Sequence, residues 1–305
     1  MAKIAFMFPG QGSQKAGMGQ DLARNSSAAK SIFQLADSIR PETSSQCFFA
    51  HKSFLQATEN TQPCLFTVEM ATAAALSESG ITPDVVVGFS LGEMAALTFS
   101  EVFDIQTGFS LVCQRGLLMQ KAADDSRSNM LAVINLVSSD VERLCKSFDG
   151  IYEANYNCPG QTVVACHQTV ISAFSTAVRE AGGRVVKLDV SGGFHSPYMT
   201  VAAHTFATIL ESVSFGEPII PVYANSTGSL YKCNIRETLS SQMCLPVLWE
   251  NCIRNILNDG VDTFIEVGPG RVLSQLVTRI NKFARCFSVE TYEDIIQTVQ
   301  KVKNK

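Results

Sequence analysis

Residues 84–101 read DVVVGFSLGEMAALTFSE, and their interpretation decides the fold. The stretch opens on a β-branched run without polar alternation, the pattern of a strand buried on both faces of a parallel sheet. It then turns through Gly88, Phe89, Ser90, Leu91 and Gly92 into an apolar run with helical character. A strand feeding a Gly-x-Ser-x-Gly turn and then a helix is a nucleophile elbow, which leaves the serine oxygen exposed at the strand's carboxyl end. Gly88 and Gly92 are required because the turn is tight and neighbouring elements approach it closely. The alternative is that Ser90 only caps the helix that follows it.

Working outward, KIAFMF (3–8) is a short apolar strand stopped by Pro9 and Gly10, and QPCLFTVEMATAAALSESG (62–80) is a helix ended by Gly80. FDIQTGFSLVCQRGLLMQKAA (103–123) is a second helix, with Asp104 placed to cap its first turn. Such alternation argues for an open, mostly parallel α/β sheet. Near residue 128 the pattern changes to strand, helix, strand, strand, helix, strand, running from MLAVINL to RVVKLDV. That order is the split βαββαβ, ferredoxin-like arrangement. Ser138 or Ser139 is expected to cap its first helix, and Gly182 with Gly183 to end its second. The sequence therefore divides into a discontinuous large α/β unit, 1–127 and 190–305, and an inserted small unit, 128–189. The strand TFIEVG (263–268) belongs to the large unit, and the chain closes on a helix beginning near residue 291.

The 305 residues are 46% hydrophobic and 17% charged, with a net charge of -4, which suits one large or two smaller domains with a sizeable core. No apolar run reaches the length of a membrane span, and the five apolar residues before Pro9 are too few for a signal peptide. A soluble, cytoplasmic protein without membrane association is the expectation, and the mild acidity gives no reason to expect nucleic acid. The ten cysteines form no Cys-x-x-Cys and lie mostly in apolar stretches, so reduced thiols are expected rather than disulfides or a metal site. The four histidines show no i, i+4 pairing. No metal is therefore expected.

Four further residues carry chemistry. His195, in VSGGFHSPYM, sits between Gly192-Gly193, a flexible approach, and Ser196-Pro197, so its imidazole is carried on a loop and is the candidate base for Ser90. His51 and His204 lie in polar helical contexts, and His167 ends a strand. The glycine-rich loop FPGQGSQKAGMG (8–19) lacks the Gly-Lys-Ser/Thr ending of a phosphate cradle. At a strand's carboxyl end such a loop can lend amides to a neighbouring site, with Gln11 and the Leu91 N–H as candidate oxyanion donors. Arg115 interrupts an otherwise apolar helix. Either it pairs with a carboxylate such as Glu93, or its planar fork awaits an anionic ligand.

Taken together, FPGQGSQ, GFSLGE, QRGLLMQ, NYNCPGQTVV, GGFHSPYM, YANSTG, QMCLPVLW and EVGPGRVL occur in the order and spacing of malonyl-CoA:acyl carrier protein transacylases. The related acyltransferase domains of fatty acid and polyketide synthases share them. The resemblance runs from about residue 4 to 280; eight ordered motifs are specific where any one is not. It implies an α/β-hydrolase-like parallel-sheet core with an inserted ferredoxin-like βαββαβ subdomain. By position, Ser90 resembles the family nucleophile, His195 its base, and Gln11 with the Leu91 amide its oxyanion hole. Arg115 resembles the arginine that grips the malonyl carboxylate, and Gln242 the residue whose backbone carbonyl orients the histidine.

The implied activity is malonyl transfer from malonyl-CoA to holo acyl carrier protein, without cofactor, by a monomer. Because carrier proteins are acidic, Arg184, Lys187, Lys232, Arg271 and Arg279 are candidate docking residues. Two departures stand out. Phe89 replaces the histidine that usually precedes the nucleophile, which bears on malonyl selectivity. GGFHSP has the Phe-His form of malonyl-selective synthase domains, which keeps a polyketide context open beside fatty acid synthesis. An acyl hydrolase on the same scaffold and a catalytically silent carrier-protein-binding scaffold are the rival readings.

Overall fold

The computed structural model describes residues 3–232 and 234–303. A parallel sheet of β1 (Ile4–Phe8) and β2 (Val85–Gly88) is separated in sequence from an antiparallel one holding β3 (Ser128–Ile134), β4 (Ile151–Cys158), β5 (Gln161–His167) and β6 (Arg184–Lys187). The chain then returns to the first sheet with β7 (Val222–Tyr223), β8 (Thr263–Val267) and β9 (Arg285–Val289). The parallel order is β7-β2-β1-β8-β9, with Ala5 opposite Val85 and Phe8 opposite Gly88. Because β1, β2 and β8 run side by side in one direction, the loops leaving Phe8, Gly88 and Val267 emerge at one carboxyl edge.

Every residue of β1 and β2 is buried, which explains the absence of polar alternation. Helices α1 (Gln20–Asn25), α2 (Ser27–Ile39), α3 (Thr43–Phe49) and α4 (Lys52–Gln56) lead into α5 (Thr58–Glu78); α6 (Leu91–Phe99) and α7 (Ile105–Ser126) follow β2. Phe6, Phe8 and Val86 pack with residues of α2, α5, α6 and α7 on one face. Ala5, Met7, Val85 and Val87 pack on the other, against Trp249 and Ile253. The short helices between residues 20 and 56 add to the elements expected from the sequence. α5 also starts four residues before Gln62, where the Thr58 N–H bonds the Gln120 side chain of α7, and it carries Pro63 within it.

Asp104 caps α7 as expected, its Oδ1 accepting from the Thr107 N–H at 2.7 Å. Helices α8 (Ser138–Cys145) and α9 (Ile171–Glu180) complete a βαββαβ order, with strands arranged β4-β5-β3-β6. The α8 cap differs from expectation: Val137 holds the N-cap position, and Ser138 and Ser139 lie inside the helix. One face of this sheet (Leu131, Val133, Val164) packs on Phe174 and Val178 of α9. The other (Met130, Ala132, Val163) joins the main core, so the two sheets share buried contacts. The remainder comprises α10 (Thr200–Glu211), α11 (Ile235–Ser241), α12 (Trp249–Asn258), α13 (Val272–Ile280) and α14 (Tyr292–Lys303). Among the described residues no helix is long and apolar enough to cross a membrane. The nine described cysteines are free thiols.

Candidate active site

The elbow is built by close approach. A Cβ on Gly88 would lie 1.9 Å from the Gly92 carbonyl carbon, and one on Gly92 would lie 2.0 Å from the Phe8 oxygen. Neither glycine has positive φ; both are needed for space. The conformational cost falls on Ser90 itself, at φ 56°, ψ −102°, a region other L-residues avoid. Ser90 occupies the N-cap position of α6, yet its side chain makes no capping bond to that helix. Its Oγ lies 2.6 Å from His195 Nε2 instead.

His195 is buried, on the loop between β6 and the short 3₁₀ turn Pro197–Met199, and it too has positive φ, 57°. Its backbone N–H donates to the Met243 carbonyl, and Nδ1 lies 2.9 Å from the Gln242 carbonyl oxygen. A carbonyl only accepts, so Nδ1 carries the proton and the Nε2 lone pair faces the Ser90 hydroxyl. Burial, and then the charge of Arg115, lower the imidazole pKa to about 4, so the ring is neutral at physiological pH. The glycines before it are not flexible joints. A Cβ on Gly192 would strike Ala123 at 2.5 Å, and one on Gly193 would crowd Tyr198 and Ser128, so they let the loop pack against α7 and β3.

Arg115 of α7 is buried. Its Nη1 donates to Gln62 Oε1 at 2.8 Å, and its Nη2 to Gln242 Oε1 at 2.7 Å and Ser90 Oγ at 3.4 Å. Nε finds no partner among the described residues. The direct pairing with Glu93 considered from the sequence does not form, since the Gln242 amide stands between them. Burial lowers the guanidinium pKa to about 10, against the opposing pull of Glu93, so it remains charged. A buried cation held only by neutral oxygens keeps its capacity to take an anion beside the serine hydroxyl.

Leu91 is the first residue of α6, so its N–H has no acceptor within the helix and faces the turn carrying Ser90. The 9–12 loop abuts the elbow, a Cβ on Gly10 falling 2.6 Å from the Phe89 oxygen, and Gln11 Nε2 donates to Thr58 Oγ1 at 3.2 Å. Phe89 packs on Trp249, ring centroids 5.4 Å apart, and lines a cavity of about 210 Å³ with Gln11, Asn155, Asn157 and Leu273. The Oδ1 atoms of Asn155 and Asn157 are buried without partners among the described residues.

Residues that single-residue reasoning did not single out complete the site. Asn225 Oδ1 accepts the Ser90 N–H at 2.7 Å and its Nδ2 donates to the Gly88 carbonyl at 2.6 Å, bracing the turn from both sides. It lies in the motif YANSTG. Glu93, fully buried, accepts from the Tyr231 hydroxyl, the Asn225 N–H and Gln242 Nε2. Gln62 and Tyr231 gave no local signal at all. The charged docking candidates are spread over three parts of the fold: Arg184 and Lys187 on edge strand β6, Lys232 before α11, and Arg271 at the N-cap of α13 with Arg279 in its last turn, bonding Gln161 at 2.8 Å.

A serine on a strained turn, hydrogen-bonded to a neutral imidazole and flanked by a helix amide and a buried cation, has the parts for acyl transfer through a serine ester. The acyl transferase domain model matches residues 5–295. The malonyl CoA-acyl carrier protein transacylase of Bacillus subtilis is 36% identical, over 100% of this chain and 99% of its own. The crystal structure of a malonyl CoA-acyl carrier protein transacylase from Clostridium perfringens superimposes with TM-score 0.96 at 34% identity, covering 99% of this chain and 98% of that one. A malonyl-transacylase solved with its type II polyketide synthase acyl-carrier protein gives 0.95 at 31% identity, over 98% and 100% of the two chains. The fold and these likenesses define an acyltransferase. The chain belongs to the malonyl CoA-acyl carrier protein transacylase family.

Proposed function

We propose that this protein moves a malonyl group from malonyl-CoA to the phosphopantetheine thiol of holo acyl carrier protein through a malonyl ester on Ser90. The carrying observation is the 2.6 Å contact from Ser90 Oγ to the unprotonated Nε2 of His195, beside a buried Arg115 that bonds no carboxylate among the described residues. Nε2 accepts the hydroxyl proton as Oγ attacks the thioester carbonyl. The Leu91 amide and Gln11 hold the oxyanion, the carbon–sulfur bond breaks, and the proton passes to the departing CoA sulfur. The carrier thiol then gives its proton to Nε2, attacks the ester, and Ser90 recovers its hydrogen.

Arg115 selects the acyl group, because a malonyl carboxylate satisfies the buried guanidinium and an acetyl methyl leaves it unpaired. The cavity beside Phe89 suits a thin arm carrying amide N–H groups, which Asn155 and Asn157 Oδ1 can accept. The solved likeness with a polyketide carrier protein supports a polyketide setting as the second reading of the pathway, alongside fatty acid synthesis. In this reading the parallel-sheet part, 1–127 and 190–305, is an α/β-hydrolase-like unit and 128–189 is a ferredoxin-like insert. The protein acts as a soluble monomer and needs no cofactor.

Incubation with malonyl-CoA and rapid quenching should place a malonyl mass increment on the peptide containing Ser90, discharged by holo carrier protein. Free malonate released equally fast without the carrier would favour the hydrolase. Absence of both adduct and turnover would favour the silent scaffold. Arg115→Ala should cut malonyl transfer about 100-fold and erase the preference for malonyl over acetyl.

A further inference from the structure

We propose that Glu93, supported by Tyr231, is a positioning and specificity-determining residue that presents Arg115 to the acyl carboxylate through the side-chain amide of Gln242. The inference rests on the reading of Arg115 given above. Glu93 Oε2 accepts Gln242 Nε2 at 2.9 Å and the Asn225 N–H at 3.2 Å, and Oε1 accepts the Tyr231 hydroxyl. The same Nε2 donates to the Ser90 carbonyl at 2.8 Å. Above about pH 7 both hydrogens of the Gln242 amide thus go to acceptors, an ionised carboxylate and a peptide oxygen, neither of which can donate.

The amide oxygen is left to face Arg115 Nη2, at 2.7 Å. A flipped amide would set its NH₂ against the guanidinium and its oxygen against the carboxylate, two repulsive contacts in a buried place. Glu93 therefore joins the Ser90 carbonyl in fixing which end of Gln242 meets Arg115. Being one amide removed, it orients the guanidinium without neutralising it; a directly bonded carboxylate would compete with the substrate's own. Gln62 supplies the second neutral oxygen from α5, and between them the two glutamines aim the fork beside Ser90 Oγ. Gln242 also holds His195 through its backbone carbonyl, so one residue ties base, nucleophile, cation and carboxylate together.

The groups facing Glu93 are Arg115 from α7, Tyr231 from the segment before α11, Cys252 from α12 and, beyond Gln242, His195. Burial raises the carboxyl pKa to about 7, against the pull of Tyr231, Gln242, Asn225 and Arg115. Below that pH a protonated Glu93 holds the amide hydrogen less firmly, and the Ser90 carbonyl is left as the strong acceptor that keeps Gln242 turned toward Arg115. Malonyl preference should fall as pH drops through about 7.

The experiment measures kcat and KM for malonyl-CoA and acetyl-CoA with holo carrier protein across pH 6–8, in wild type, Glu93→Gln, Tyr231→Phe and Arg115→Ala. In Glu93→Gln the malonyl-to-acetyl ratio of kcat/KM should fall about 10-fold or more, mainly through malonyl-CoA KM, and its pH dependence near 7 should vanish. Tyr231→Phe should move the ratio about threefold the same way. The proposal is overturned if Arg115→Ala loses selectivity while Glu93→Gln and Tyr231→Phe keep the wild-type ratio, or lower both substrates equally. Tyr231→Phe decides alone if Glu93→Gln fails to fold. Unchanged selectivity in Arg115→Ala would overturn the reading of Arg115 itself, and this proposal with it.

Discussion

The carboxyl edge of the parallel sheet and the helix-covered face of the antiparallel sheet are built on opposite terms. At the edge, Ser90 and His195 sit at φ 56° and 57°, and Arg115 and Glu93 are buried as titratable groups bonded through amides. Across the other face, Leu131, Val133, Val164, Phe174 and Val178 form an apolar cluster. The first region holds costly conformations and charges in place; the second supplies ordinary apolar burial. Elements that touch both, such as β3 with its opposite face in the main core, let the conventional packing support the strained site.

The sharpest way to break this contrast is Ser90→Gly. Transfer should fall about 10⁴-fold or more, because the proposed nucleophile is gone. Stability should meanwhile rise by about 1 kcal/mol: glycine tolerates the elbow conformation, strain there is worth roughly 1–3 kcal/mol, and added chain entropy returns part of it. A denaturant midpoint below wild type would show that Ser90 stores no conformational strain. In the other region, Phe174→Ala should cost about 3–5 kcal/mol of unfolding free energy and leave the malonyl-to-acetyl ratio at its wild-type value. A changed ratio in folded protein would show that the two regions are not separable.

The smallest effect is in pH. The His195 pKa, lowered by burial to about 4, keeps the proposed base neutral far below 6.5. With acetyl-CoA, which makes no demand on Arg115, kcat/KM should therefore stay within about twofold between pH 7 and pH 5.5. An acid limb near 6.5 would mean a solvated ring. The linked stability has a definite sign. Unfolded histidine takes its proton near 6.5 and the folded one near 4, so this group costs stability as pH falls through that window.

Glu69 shows what burial does without partners. It is fully buried on α5 beside Pro9 and Gly268, neither carboxyl oxygen has a hydrogen-bond partner among the described residues, and burial alone raises its pKa well above the usual range. Glu93, equally buried, has three donors and a place in the site. Convergent donors, rather than burial itself, distinguish the two carboxyl groups.

How much was legible follows from where each signal is stored. The elbow could be read because strand, turn and helix are adjacent in the chain, and Arg115 because a cation interrupts an apolar helix. Asn225 and Tyr231 could not be assigned roles from the chain alone, since they meet Ser90 and Glu93 across 135 and 138 positions. The α8 cap was misplaced because serines just inside a helix look the same in sequence as serines at its start. Gly192 and Gly193 suggested flexibility, whereas their role is to clear Ala123 and Ser128, neighbours supplied only by folding.

By itself the sequence determined the alternating α/β pattern, the βαββαβ segment and the residue types able to perform acyl transfer, because these rest on local periodicity and side-chain chemistry. Only the tertiary structure decided which histidine nitrogen faces Ser90, that Arg115 meets amides instead of Glu93, and that Gln242 joins all four groups. Those facts depend on hydrogen bonds between distant segments, whose direction is set by how the two sheets and their helices close together.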